Sequence, residues 1–145
     1  MPQDLTTVRV LIVDDNAHMR SILKTVLDTA GIHDVREAAD GSMALMILSS
    51  WRADVAVVDY HMAPMNGIEL TKRLRSPEDS PDPTLPVVMI TGHADTQRVL
   101  EARQAGITEF VVKPVTAKNV LEKLNAALGK RSRAAPPQQR VHWVG

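Results

Sequence analysis

A doubly wound α/β fold, with five parallel strands alternating with five helices and helices on both faces of the sheet, is the architecture this sequence predicts. Three observations carry that expectation. Short apolar runs rich in β-branched residues recur along the 145 residues, as strands covered on both faces require. Amphipathic stretches with three- and four-residue spacing separate those runs. Asp14-Asp15, Asp59, Thr91 and Lys113 each stand where a run stops, so a parallel sheet collects them along one edge.

The elements follow in order. Val8-Arg9-Val10-Leu11-Ile12-Val13 reads as the first strand. Met19, Ile22, Leu23, Val26, Leu27 and Ala30 then mark one helical face, and Gly31 supplies a left-handed stop. The weaker run 33–38 is the second strand. A helix holding Ala44, Leu45, Ile47 and Leu48 starts near Asp40 and ends near Ser50. Val55-Ala56-Val57-Val58 is the third strand. Asn66 then caps a helix that frays by Arg75, with Glu69 three residues on completing a capping box. Val87-Val88-Met89-Ile90 is the fourth strand, and a helix over 95–105 ends on Gly106. Residues 107–112 form the fifth strand, and Ala117, Leu121, Leu124 and Leu128 lead a fifth helix to Gly129.

Two segments break the alternation. Pro77, Pro81, Pro83 and Pro86 deny backbone donors between the third helix and the fourth strand, which predicts a long surface loop over 76–86. Residues 130–145 change composition, with Pro136-Pro137 and Gln138-Gln139. They are expected to form a disordered tail beyond a domain of residues 1–129, with Val141-His142-Trp143-Val144 as its one candidate docking segment.

Composition narrows the function classes. Lys plus Arg equals Asp plus Glu at 17 each, which offers no broad basic field for nucleic acid or anionic lipid. There are no cysteines, so disulfides and thiolate metal ligands are excluded. The first residues lack a signal-peptide pattern and no apolar run is long enough to span a bilayer. A soluble, cytoplasmic protein is expected.

The edge residues carry the chemistry. A helix cap accounts for one of Asp14 and Asp15 but leaves Asp59 unexplained. Three neighbouring carboxylates repel one another unless a cation sits among them, and a hard divalent ion such as Mg2+ suits oxygen ligands and leaves room for phosphate oxygens. A strand-end Lys beside such a cluster can pair with a phosphoryl group, and the Thr91 hydroxyl can donate to one. Thus the sequence describes a site able to hold a phosphoryl group on an aspartate.

Five segments together resemble the receiver domain of bacterial two-component response regulators. They are Val10-Leu11-Ile12-Val13-Asp14-Asp15, Val57-Val58-Asp59-Tyr60-His61-Met62, Met65-Asn66-Gly67, Met89-Ile90-Thr91-Gly92 and Phe110-Val111-Val112-Lys113-Pro114. The resemblance implies a flavodoxin-like sheet of strand order 2-1-3-4-5. It implies Asp59 as phosphoacceptor, with Asp15, Asp59 and the His61 backbone carbonyl on Mg2+ and Asp14 acting through a water. Lys113 would contact the phosphoryl group, Thr91 would move inward to it, and Phe110 would turn with Thr91. A cis bond before Pro114 is also implied. The implied partners are a histidine kinase or phosphotransfer protein and a downstream protein bound on the fourth helix, fifth strand and fifth helix. Neither direct nucleic-acid binding nor membrane insertion is expected, and a dimer formed on phosphorylation stays open.

Departures from the family pattern lie beside the phosphoacceptor. Met62-Ala63-Pro64 displaces the usual proline by one residue, and histidines occupy positions 61 and 93, which in the family flank the phosphoryl group and tune its hydrolysis. Two imidazoles there are expected to modulate water attack, with a rate that changes as histidine titrates near neutral pH. The leading reading is a receiver-only switch rather than an enzyme. Its rivals are a phosphorylation-independent interaction module and a receiver belonging to a hybrid kinase or longer regulator. An aspartyl-phosphate phosphatase fits poorly, because His61 stands where that chemistry uses an acid-base Asp. A flavin-binding module is disfavoured too, since Asp14-Asp15-Asn16 would repel the flavin phosphate.

Overall fold

Apolar runs become strands here because both side-chain directions of each find a partner layer. The computed structural model describes residues 5–93 and 95–134. After a single 3-10 turn at Leu5–Thr7 come β1 (Arg9–Val13), α1 (Ala17–Thr29), β2 (Asp34–Ala38), α2 (Gly41–Leu48), β3 (Val55–Asp59), α3 (Gly67–Arg75), β4 (Val87–Thr91), α4 (Thr96–Ala105), β5 (Glu109–Val112) and α5 (Ala117–Ala134). The five strands form one parallel sheet in the order β2-β1-β3-β4-β5. The implied strand order and the doubly wound class are therefore both observed.

Alternation along the strands divides the core into two layers. Val10, Ile12, Val55, Val57, Val88, Ile90 and Val111 pack with Leu23 and Leu27 of α1 and with Val120, Leu124, Ala127 and Leu128 of α5. On the opposite face, Leu11, Val13, Ala56, Val58 and Val87 meet Ala44 and Leu48 of α2 and Leu70 and Leu74 of α3. Met89 of that face joins Ile68 of α3 and Ala102 and Ala105 of α4, with Tyr60, Ile107 and Phe110 partly buried against them. Each fully buried Leu, Ile or Val contributes roughly 1.5–3 kcal/mol, so this two-sided burial fixes the strand register.

Side-chain caps and two glycines bound most of the helices, although at α1 the cap is Asn16 rather than Asp14 or Asp15. Asn66 and Glu69 exchange both bonds of the capping box, and Asn16, Asp40 and Asp95 cap α1, α2 and α4 through their side-chain oxygens. Gly31 and Gly106 take φ of 91° and 98°, conformations that disfavour any residue with a Cβ. After Gly106 the Ile107 N–H returns to the Ala102 carbonyl. That closure occupies Ile107, so β5 begins at Glu109 rather than at 107.

The fifth helix corrects an expectation. Gly129 does not stop α5, which continues through Ala134. Two side chains beyond Gly129 find partners: Lys130 Nζ donates to the Thr108 carbonyl and pairs with Glu109, and the Arg131 guanidinium grips both oxygens of Asp82 at 2.9 and 3.1 Å. A glycine within a helix costs about 1 kcal/mol relative to alanine, which bonds of this kind offset. The rest of the expected tail, with Val141-His142-Trp143-Val144, lies outside the described residues.

The proline-rich connection between α3 and β4 contains no helix or strand. It is nonetheless anchored, because Leu85 is fully buried and Asp82 is held by α5.

Candidate functional site

Parallel crossovers bring every strand's carboxyl end to one edge of the sheet, and the charged residues of the sequence meet there. Asp14 follows β1, Asp59 closes β3, Thr91 closes β4 and Lys113 follows β5. One carboxylate oxygen from each of Asp14, Asp15 and Asp59 lies within 4.8 Å of the others. Asp14 and Asp59 are buried at 2% and 4% exposure, whereas Asp15 is exposed. Burial is the consequence of chain path: each of the two residues ends a strand covered on both faces.

Lys113 Nζ stands 3.1 Å from Asp59 Oδ1. Apart from this ion pair, among the described residues Asp59 Oδ1 has no hydrogen-bond donor, and neither has Asp14 Oδ2. The other Asp14 oxygen accepts from the Asn16 N–H at 2.9 Å. Burial, aided by Asp59 and Asp15, pushes the Asp14 pKa up to about 6 against the Asn16 bond and Lys113. Burial also raises the pKa of Asp59, opposed chiefly by Lys113. Two buried carboxylate oxygens without donors in a like-charged cluster are the features a hard cation corrects. The residues present fit such an ion.

Thr91 is fully buried, and its hydroxyl is bonded to the backbone of its own loop. It donates to the His93 carbonyl at 3.0 Å and accepts from the His93 N–H at 3.1 Å. The site as folded therefore brings Asp14, Asp15, Asp59 and Lys113 together and leaves the Thr91 hydroxyl on its own loop. Phe110, in β5 opposite Met89, is partly buried against the α4 cluster. His61 and His93 flank the edge with ring centroids 6.3 Å apart. The bond between Lys113 and Pro114 is cis, as the resemblance implies, and that between Ala63 and Pro64 is cis as well.

Gly67 explains how the displaced proline is tolerated beside the site. A Cβ on Gly67 would lie 2.6 Å from the Asp59 carbonyl oxygen, and the Gly67 N–H donates to the Tyr60 carbonyl. This close approach keeps the start of α3 against the end of β3 whatever the loop between them does.

Sequence reasoning missed three contributors. Arg20 of α1 donates to the Asp14 carbonyl at 2.7 Å and to Glu37 at 3.1 Å, bracing the loop after β1. Arg98 of α4 reaches His61 Nε2 at 3.1 Å and lies over the Tyr60 ring at 5.0 Å. Tyr60 in turn meets the His61 ring edge-on at 4.7 Å. An i,i+3 step from the Asn16 or Asp95 cap was the available signal for Met19 or Arg98 backbone capping, but none marks where a long arginine side chain ends.

A sheet of this order with an acidic cluster and a lysine at its carboxyl edge defines a receiver-type α/β domain. The chain belongs to the response regulator receiver domain family, which residues 10–125 match. It is similar to chemotaxis protein CheY-3 of Vibrio cholerae serotype O1, at 42% identity over 118 residues, covering 81% of this chain and 89% of that one. It is also 41% identical to chemotaxis protein CheY of Pseudomonas aeruginosa over 81% of this chain and 93% of the relative. The solved structure of the chemotaxis response regulator CheY4 of Vibrio cholerae superposes with a TM-score of 0.76 at 31% identity, over 84% of this chain and 99% of that one. Among the described residues no helix is long and apolar enough to cross a membrane.

Proposed function

We propose that the chain is a phosphorylation-dependent signalling switch whose acceptor is Asp59. The observation that carries this reading is a buried carboxylate with one oxygen lacking a donor, 3.1 Å from a lysine ammonium and within the same cluster as Asp14 and Asp15. A carboxylate oxygen of Asp59 attacks the phosphorus of a phosphohistidine on a histidine kinase or phosphotransfer protein. The new O–P bond forms as the N–P bond breaks. Asp15, Asp59 and the His61 backbone carbonyl would hold Mg2+ directly, with Asp14 acting through a water. When bound, that ion supplies neutralising charge and oxygen coordination for the phosphoryl group.

Lys113 then exchanges a carboxylate partner for a phosphoryl oxygen, which keeps its ammonium paired throughout. The Thr91 hydroxyl, spent on its own loop in the unphosphorylated chain, gains a stronger acceptor once the phosphoryl group arrives. Leaving the His93 bonds draws the β4–α4 connection inward. Phe110 packs against a cluster that includes Ala102 and Ala105 of α4, so that shift repacks the face of α4, β5 and α5, where a downstream protein binds. His61 and His93 at the rim tune hydrolysis of the aspartyl phosphate.

Incubation with Mg2+ and a small-molecule phosphodonor, followed by intact-mass measurement, tests the reading. A phosphoryl adduct is expected on the wild type and absent from Asp59→Ala. A folded wild type that takes no adduct would instead make the chain a phosphorylation-independent interaction module.

A further inference from the structure

Among the described residues, Arg98 joins α4 to the loop after the phosphoacceptor strand by a hydrogen bond to His61. It occupies the first turn of α4, where its own N–H is capped by Asp95 at 2.9 Å and its Nε lies 3.6 Å from the Asp95 carboxylate. From there the guanidinium reaches the loop after β3. Its Nη1 stands 3.1 Å from His61 Nε2, and its Cζ lies 5.0 Å from the Tyr60 ring centroid. Asp95 on one side, the Tyr60 face beneath and His61 at the tip give the planar group three restraints.

A guanidinium has only donors and keeps its charge. The 3.1 Å contact therefore requires His61 Nε2 to be the acceptor, which assigns the imidazole proton to Nδ1 by inference from the partner. The Nε2 lone pair is then committed to a cation. We propose that Arg98 is a positioning residue for loss of the phosphoryl group: it withholds His61 Nε2 from the attacking water and thereby lengthens the lifetime of the aspartyl phosphate. This inference rests on Asp59 as phosphoacceptor. In the step concerned, a water oxygen attacks phosphorus, the bond from phosphorus to the Asp59 oxygen breaks, and the Asp59 carboxylate and inorganic phosphate are released. The water must give up a proton, and Nε2 held by Arg98 cannot take it. Freed from Arg98, the same nitrogen can.

Two measurements on the full chain separate this role from mere bracing of α4. Nitrogen NMR of the imidazoles in the unphosphorylated protein, at one fixed pH, should show His61 as the Nδ1–H tautomer in wild type and in Arg98→Lys, and a tautomer mixture in Arg98→Ala. Decay of the phosphoryl adduct after donor removal should then be faster in Arg98→Ala by about tenfold, below the full range of a positioned general base. Arg98→Lys should decay as wild type does. In a His61→Ala background the Arg98→Ala change should have no effect on decay. An unchanged or longer lifetime in Arg98→Ala, the same acceleration without the His61 imidazole, or an unaltered tautomer would each overturn the inference while leaving the acceptor reading intact. Absence of any adduct on wild type would instead sink the acceptor reading itself.

Discussion

The two edges of the sheet treat charge in opposite ways. At the amino edge, unlike charges are paired: Arg9 meets Asp34 at 3.0 Å, its N–H donates to Asp54 at 2.8 Å, and Arg131 forks onto Asp82. Arg75 there donates to the Gly106 and Pro83 carbonyls. At the carboxyl edge, like charges converge, with Asp14, Asp15 and Asp59 in one cluster and Lys113 paired to Asp59. Folding alone gains nothing from that arrangement, since desolvated carboxylates without donors cost free energy. The amino edge thus serves stability, while the carboxyl edge holds an unfavourable charge distribution that a cation and a phosphoryl group put to use.

The largest test of that contrast is Asp14→Asn. Burial raises the folded-state pKa of Asp14 from 3.8 to about 6. The folded chain therefore binds more protons than the unfolded chain between those values. Stability from this group is fully present below pH 3.8 and is lost as pH rises through about 6. Asparagine removes the charge, so cation-free Asp14→Asn should exceed wild type in stability at pH 7 by up to about 3 kcal/mol, at roughly 1.4 kcal/mol per pKa unit. Urea unfolding in chelator should show the gain growing from pH 4 to pH 6 and level above it. Millimolar Mg2+ should stabilise wild type and shrink the difference. A gain independent of pH would mean that the carboxyl-edge charge carries no folding cost.

A second test addresses the amino edge. Burial lowers the Arg75 pKa, Asp82 opposes that shift and Arg131 adds to it. Removing Asp82 therefore leaves two arginines facing each other, whereas removing Arg131 leaves Asp82 with Arg75. Asp82→Ala should cost about 2–3 kcal/mol and Arg131→Ala about 1–2 kcal/mol, in the range for charge-assisted bonds that keep some solvent contact. Denaturant midpoints measure both, and Mg2+ affinity should stay as in wild type. Equal costs would show that Arg75 is indifferent to the pair.

These contrasts differ in how far the sequence exposes them. Strand ends are legible because β-branched runs stop abruptly at Asp59 or Lys113, and caps are legible because Asn66 and Glu69 interact across three residues. Strand order is not written in periodicity and came with the receiver resemblance. Long side chains are the least legible. Arg131 follows a glycine that reads as a helix stop, yet its partner is Asp82, 49 residues away. Arg98 likewise meets His61 across 37 residues, and nothing in its neighbours announces the reach. Local rules place the backbone, whereas where a flexible cation ends depends on the tertiary neighbours that packing supplies.

The smallest effect separates the site's unmet charge from ordinary helix chemistry at the same edge. Asp40 also stands there, but its Oδ1 accepts the Met43 N–H at 2.8 Å and caps α2. Asp40 leaves no carboxylate oxygen buried without a donor, unlike Asp14 Oδ2 and Asp59 Oδ1. Asp40→Ala removes the acceptor and should cost about 1 kcal/mol, the usual value of an N-cap. Asp40→Asn keeps an acceptor oxygen and removes the charge, so it should lose less than half as much. Both should bind Mg2+ as wild type does, because Asp40 is outside the cluster of Asp14, Asp15 and Asp59. Urea midpoints and a Mg2+ titration of the two variants suffice. If Asp40→Asn weakened Mg2+ binding as Asp14→Asn does, the cation would be responding to total negative charge along the edge, and the claim of a built site among three carboxylates would fail.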